Sequence, residues 1–306
     1  VAANSKRVIF VFLDGVGLGK VDASINPFFN ARLNVLSGLL DGSTPSLKNR
    51  RIQSAHAALS PLNATLGVSG LPQSGTGQTA FLTGINAPKF IGKHFGPYPY
   101  STLRPLLQEK SIYPRLEREG KSVLYTNAFP RQFHEYIAQK PGRVAAATYA
   151  WMSSGHELRT PAELARGEAL SADITNDRWD KMGYPEVPKI SAFRGGQNLG
   201  AISREFNFVF FEFYHTDQVG HKQSMSEAIA MLEKLDEFFG GIVESMDHQS
   251  TTLLITSDHG NLEDLSTKSH TRNPVPLILF GSQKGRGIAA KRLTDVPALV
   301  TSLLHA

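Results

Sequence analysis

The chain of 306 residues contains no cysteine, which excludes disulfides, thiolate-bound zinc, iron–sulfur clusters and thiol nucleophiles. Charge of one sign is also scarce: 32 Lys and Arg stand against 27 Asp and Glu, a formal surplus of +5. That surplus is small for the length, and nothing resembles a recognition helix or an aromatic stacking platform, so no nucleic-acid partner is expected. Long hydrophobic runs are missing as well. The run Val8–Leu13 is far too short to span a bilayer. It follows Lys6-Arg7 and leads into Asp14-Gly15, which marks it as a strand and not the apolar centre of a signal peptide. A soluble, cytoplasmic protein with no membrane partner is the expectation. Internal repeats and low-complexity tracts are absent.

What is present is enough apolar residue, 41% against 19% charged, to bury a core. Five apolar runs, Val8–Leu13, Val123–Thr126, Phe206–Phe213, Thr252–Thr256 and Pro276–Phe280, each end in polar or small residues. Such runs suit the parallel strands of a sheet covered on both faces. Helical patterns lie between them. The clearest starts at Ser224, where Ser224-Met-Ser-Glu227 has capping-box spacing, and continues through Ala228, Leu232, Leu235, Phe239, Ile242 and Met246. Leu103–Glu119 is a second, interrupted at Pro105 and Pro114, and Thr294–His305 a third. The alternation predicts an α/β fold, a three-layer sandwich with a mostly parallel sheet. Residues 131–197, rich in turn formers and holding Trp151 and Trp179, read as a small insert or cap between core segments 1–130 and 198–306.

Several chemistry-bearing residues sit just beyond these strands, where open parallel sheets gather their ligand sites. Asp14 follows the first run. Gly15, Gly17 and Gly19 lack the spacing of a dinucleotide loop. Asp217-Gln-Val-Gly-His221 puts a carboxylate and an imidazole on one side of a helical turn. Asp258-His259-Gly260 follows another strand, and His270 precedes the last. Three Asp and three His make a thiol-free donor set suited to zinc, manganese or iron, and large enough for two ions. Between them, Ser74-Gly-Thr76-Gly-Gln-Thr-Ala-Phe-Leu reads as a tight turn feeding a helix. A hydroxyl there meets free backbone N–H groups, a favourable place for phosphate, so Ser74 or Thr76 is a candidate nucleophile. From Lys89 to Arg159, eleven Lys/Arg face five Asp/Glu. Arg131, His134, Arg143 and Arg159 in or near the insert, and Arg272 beside His270, are candidate contacts for an anionic substrate.

In this order, Asp14-Gly, the Ser74 turn, Asp217-x-x-x-His221, Asp258-His259-Gly-Asn and His270-Thr-x-x-Pro-Val-Pro resemble the alkaline phosphatase superfamily of two-metal enzymes. The likeness is greatest to the metal-binding core of cofactor-independent phosphoglycerate mutase and phosphopentomutase, and it spans nearly the whole chain apart from the insert. The resemblance implies two divalent ions, zinc or manganese. Asp217, His221 and His270 would hold one; Asp14, Asp258 and His259 would hold the other beside Ser74, favoured over Thr76. It also implies phosphoryl transfer on a small phosphorylated metabolite through a phosphoserine, as in a phosphomutase, with hydrolysis by a phosphatase or phosphodiesterase as the alternative. A non-catalytic metal- or anion-binding protein of the same fold is a lesser expectation. Two departures count against the mutase. The mutases carry His where Gln78 stands, and the chain has no room for the large domain that encloses the phosphoglycerate mutase substrate. The modified-residue motif of sulfatases is absent after Ser74.

Overall fold

Seven strands form one sheet: β1 (Arg7–Leu13), β2 (Ile52–Gln53), β3 (Ala57–Leu62), β4 (Val123–Tyr125), β5 (Phe208–Phe213), β6 (Thr251–Thr256) and β7 (Val275–Phe280). Their spatial order is β2-β3-β7-β6-β1-β5-β4. The structure is a computed structural model describing residues 5–140, 142–281 and 283–306. At the centre, β4, β5, β1 and β6 run parallel, with Val8 opposite both Phe208 and Thr252. Every residue of β1, β5 and β6 is buried, as continuous apolar runs require when both faces are covered.

The two faces meet different helices because side chains alternate along a strand. Phe10 and Phe12 reach Phe81 of the helix Ser74–Thr83, with ring centroids 5.6 and 4.9 Å apart. Phe211 points the other way, to Phe238 of the helix Met225–Ser245 at 5.3 Å. A helix Ala192–Ile202 lies so close along Met225–Ser245 that a methyl on Gly196 would come within 2.0 Å of the Phe238 carbonyl oxygen. Helices on both faces of a mostly parallel core make the three-layer α/β sandwich read from the sequence.

Four expectations need correction. Val275–Phe280 is antiparallel to both its neighbours, because a doubly buried run carries no signal of direction. The chain returns from β6 through a loop, without a crossover helix. The interruption in Leu103–Glu119 falls at Ser111, between helices Arg104–Lys110 and Ile112–Arg118. Pro105 and Pro114 sit in their first turns, where a missing N–H is harmless. Ser224 caps its helix by accepting from Glu227 N, but Glu227 pairs with Lys222 at 2.8 Å and does not return the bond. The helix Ala192–Ile202 begins inside the segment read as insert and packs as part of the sandwich. Among the described residues, no helix is long and apolar enough to cross a membrane.

Candidate metal centre

The loops leaving β1 and β6, the helix His215–Lys222 that follows β5, the loop entering β7, and the start of the Ser74 helix converge at one end of the sheet. Their approach is close. Gly15 has φ +69°, and a Cβ there would lie 2.6 Å from Asp217 Oδ1. Gly77, in the first turn of the Ser74 helix, passes within 2.9 Å of Asp258 in the same sense. Only glycine permits both contacts.

Two donor groups result. Asp217, His221 and His270 bring one ligand atom each to within 4.8 Å of one another, and so do Asp14, Asp217 and His259. Asp217 therefore serves both. Asp258, expected beside Asp14 and His259, places Oδ2 3.6 Å from His259 Nε2 and is fully buried. The imidazoles are oriented from behind. His221 Nδ1 lies 2.7 Å from the Lys268 carbonyl, and His270 Nδ1 lies 2.7 Å from that of Pro72. A carbonyl only accepts, so each Nδ1 carries a proton, which leaves Nε2 as the nitrogen that could bind a metal. Those two Nε2 atoms face each other at 3.3 Å, and Asp217 Oδ2 lies 3.2 Å from the first. Acceptors so arranged suit a cation between them.

The second group makes the same point with buried carboxylates. His259 Nε2 lies 3.2 Å from Asp14 Oδ1 and 3.0 Å from Ser74 Oγ. Outside ion-pair contact, Asp14 Oδ1 and Asp258 Oδ2 are buried without a hydrogen-bond partner. Burial and then the charge of Asp258 push the Asp14 carboxyl well above the usual carboxylate range. Burial works against a charged His259, yet Asp258, Asp14 and Asp217 override it and raise its pKa to about 10. Burial, with the neighbouring His259 charge, lowers His270 to about 4, keeping it a neutral donor. Orphaned carboxylate oxygens around a group that seeks positive charge fit divalent metal.

Ser74 opens its helix after Gln73, which makes no side-chain cap; Thr76 N donates to the Phe95 carbonyl at 2.9 Å, so the Ser74 and Gly75 N–H groups are the ones placed for an anion. The Thr76 hydroxyl is spent elsewhere, donating to the Gln73 carbonyl and accepting from Phe95 N. Gln78 accepts from Ala146 N at 3.1 Å and so tethers the helix Ala146–Ser153 to the site.

Of the expected substrate contacts, only Arg143 lines the cavity of about 640 Å³ that opens beside Asp14, Ser74 and Asp217. Arg131 pairs with Glu135 on the surface and Arg159 with Glu163; His134 is partly buried outside the cavity wall, and Arg272 is exposed. Helix Arg131–Gln139 turns Phe133 and Tyr136, not Arg131, to the cavity. Sequence reasoning missed Arg178, Glu212 and Glu263. Arg178 lies in a turn-rich stretch without a motif, and Glu212 interrupts an apolar strand, the one signal that marked it.

Glu263 is fully buried and accepts from Gly17 N, Asn261 N, the Thr271 hydroxyl and Asn273 Nδ2. It thus ties together the loops after β1 and β6 and the one before β7. Glu263→Ala leaves these donors unpaired, and a loss of roughly 3 kcal/mol or more is expected in urea unfolding.

Burial drives Glu212 up to about 7, against the hydrogen bond it accepts from the Tyr125 hydroxyl at 2.7 Å, with Asp258 adding to the rise. Between the ordinary value of 4.5 and 7, the folded chain keeps a proton that the unfolded chain releases. Stability therefore falls as pH rises through this window and levels above it. Denaturant unfolding of chelator-treated protein at pH 5 and 8 should show Glu212→Gln losing less across the window than wild type, by about 3 kcal/mol.

With this geometry, comparison with known proteins is informative. The model of the Metalloenzyme superfamily matches residues 184–306. The match takes in Asp217, His221, Asp258, His259 and His270, while Asp14 and Ser74 lie before it. The chain is 33% identical over 129 residues to a 2,3-bisphosphoglycerate-independent phosphoglycerate mutase of Moorella thermoacetica, covering 40% of this chain and 25% of that protein. It is 26% identical over 303 residues to one from Rhodopseudomonas palustris, covering 96% and 54%. The chain thus spans about half or less of these relatives. The alkaline phosphatase of the Antarctic bacterium TAB5 superposes with a TM-score of 0.53 at 14% identity, covering 99% of both chains. The segment matched by the family model therefore sits in a fold like that of alkaline phosphatase.

Proposed function

We propose that the protein is a metal-dependent phosphoryl-transfer enzyme acting on a phosphoester, with Ser74 as nucleophile and hydrolysis as the outcome. The observation that carries this reading is Ser74 Oγ at a helix N-terminus, 3.0 Å from His259 Nε2 and beside two donor groups joined by Asp217. Asp217, His221 and His270 would hold one divalent ion, and Asp14, Asp258 and His259 the other with Asp217 shared between them, with zinc or manganese suited to the donors. Bound there, the ions supply charge against the phosphoryl oxygens and lower the pKa of a nearby hydroxyl.

The chain's own residues do the rest. Ser74 Oγ bonds to phosphorus as the bond from phosphorus to the alcohol oxygen breaks. The serine proton passes to solvent, and the departing alkoxide takes one from it. The N–H groups opening the Ser74 helix orient the phosphoserine. Water then adds at phosphorus as the Ser74 oxygen leaves, giving phosphate and free serine. Residues 131–191 act as a cap, since Phe133, Tyr136, Arg143 and Trp179 wall the cavity.

Intramolecular transfer is the second reading, supported by the names of the relatives. A mutase must retain its dephosphorylated intermediate between transfers, and a cavity of about 640 Å³ is spacious for a triose. Incubating manganese- or zinc-loaded protein with 3-phosphoglycerate and a panel of phosphoesters tests both readings. Free phosphate supports hydrolysis and a positional isomer supports the mutase; no reaction with any substrate defeats both.

A further inference from the structure

The cavity beside Ser74 continues past the metal centre into a wall of aromatic rings. Tyr125, Phe129, Phe133 and Tyr136 all line it. They stand in a row, with successive ring centroids 6.2, 4.4 and 6.3 Å apart and Phe129 stacked on Phe133 at 19°. Phe129, Phe133 and Tyr136 are only partly buried. Polar groups in this wall are largely committed. The Asn127 side-chain amide is spent on the backbone of Glu212, donating at 2.8 Å and accepting at 2.9 Å. Asp173 accepts from Ser171, Asn176 and Asp177 within its own turn. Two guanidiniums, Arg143 and Arg178, line the cavity and make no side-chain ion pair or hydrogen bond among the described residues.

A small hydroxy-acid phosphate has no apolar surface to set against such a wall. Partly exposed rings, an ample volume and two unengaged cations match a different ligand. Resting on the phosphoryl-transfer reading above, we infer that the substrate is a phosphoester whose alcohol portion carries a planar ring, aryl or nucleobase. The ring lies along Phe129 and Phe133 while the phosphoryl group sits at Ser74. Arg143 and Arg178 supply the cationic surroundings that a phosphoester needs.

Paired substrates that both release a primary alcohol isolate the ring. Adenosine 5′-monophosphate is set against ribose 5-phosphate, and 2-phenylethyl phosphate against ethyl phosphate, all with manganese-loaded protein. The ring-bearing member should show kcat/KM higher by about tenfold or more. A preference confined to the first pair assigns a nucleobase, and one confined to the second assigns an aryl group. Phe133→Ala should shrink the ratio within the preferred pair, with its melting temperature and metal content reporting that it is folded. Equal kcat/KM within both pairs, or an unchanged ratio in folded Phe133→Ala, overturns the inference and leaves phosphoryl transfer standing. Calorimetric binding of the same four compounds to metal-loaded Ser74→Ala reads the ring preference even without turnover. Tighter binding of the ring-bearing members there upholds the ring site though the reaction reading has failed, and equal binding overturns it.

Discussion

Asp217→Ala should abolish phosphoester turnover, by roughly a thousandfold or more, and remove both metal equivalents at once. The expectation follows from geometry. Asp217 belongs to both donor groups, and its Oδ1 is fixed by Asn261 Nδ2 at 2.7 Å. Losing it leaves only the His221 and His270 imidazoles in the first group and removes a carboxylate from the Asp14–His259 group. A partner variant gives the contrast. His221→Ala disturbs only the first group and should cost one equivalent. Elemental analysis beside melting temperature checks this; an Asp217→Ala protein that keeps one full equivalent would show that the two groups do not share the residue.

Ser74→Ala should behave oppositely: turnover falls by roughly 10³-fold or more while both metal equivalents remain. Ser74 is the only serine or threonine hydroxyl that contacts His259 Nε2 among the described residues, whereas Thr76 is fastened to Gln73 and Phe95. Removing one hydroxyl leaves every Asp and His donor in position. Radiolabelled phosphate should become acid-stably attached to wild type and not to the variant. Undiminished activity in Ser74→Ala would sink the nucleophile assignment.

The strands were legible where the physics of double burial acted alone. Val8–Leu13 and Thr252–Thr256 are apolar on both faces because helices cover both, and each read correctly to within a residue at either end. Ala57–Leu62 escaped notice, since Ser60 and Pro61 break the apolar pattern. It survives as a strand because Pro61 lies directly opposite Pro276, so two missing N–H donors fall on one rung of the ladder. Pairing partners far apart in sequence created that tolerance, and no local pattern could announce it.

The candidate donor motifs stood out in the sequence for a related reason. Asp14, Asp258, His259 and His270 lie in loops beside strand ends, and Asp217 and His221 in the helix His215–Lys222 that follows β5; strand ends are marked in sequence by the switch from apolar to small and polar residues. Fold class, the six Asp and His donors and the hydroxyl pair Ser74 and Thr76 came from that switch and from the ordered motifs. Tertiary structure alone decided which donors meet: Asp217 stands between two groups because Gly15 lets the loop after β1 and the helix after β5 touch. It also turned Phe133 and Tyr136 inward in place of Arg131, and it brought Glu212, Arg178 and Glu263 to the site. Local sequence carries the solvent preference and turn chemistry of each segment, whereas side-chain convergence depends on sheet order and close backbone approach, which arise only once distant strands pair.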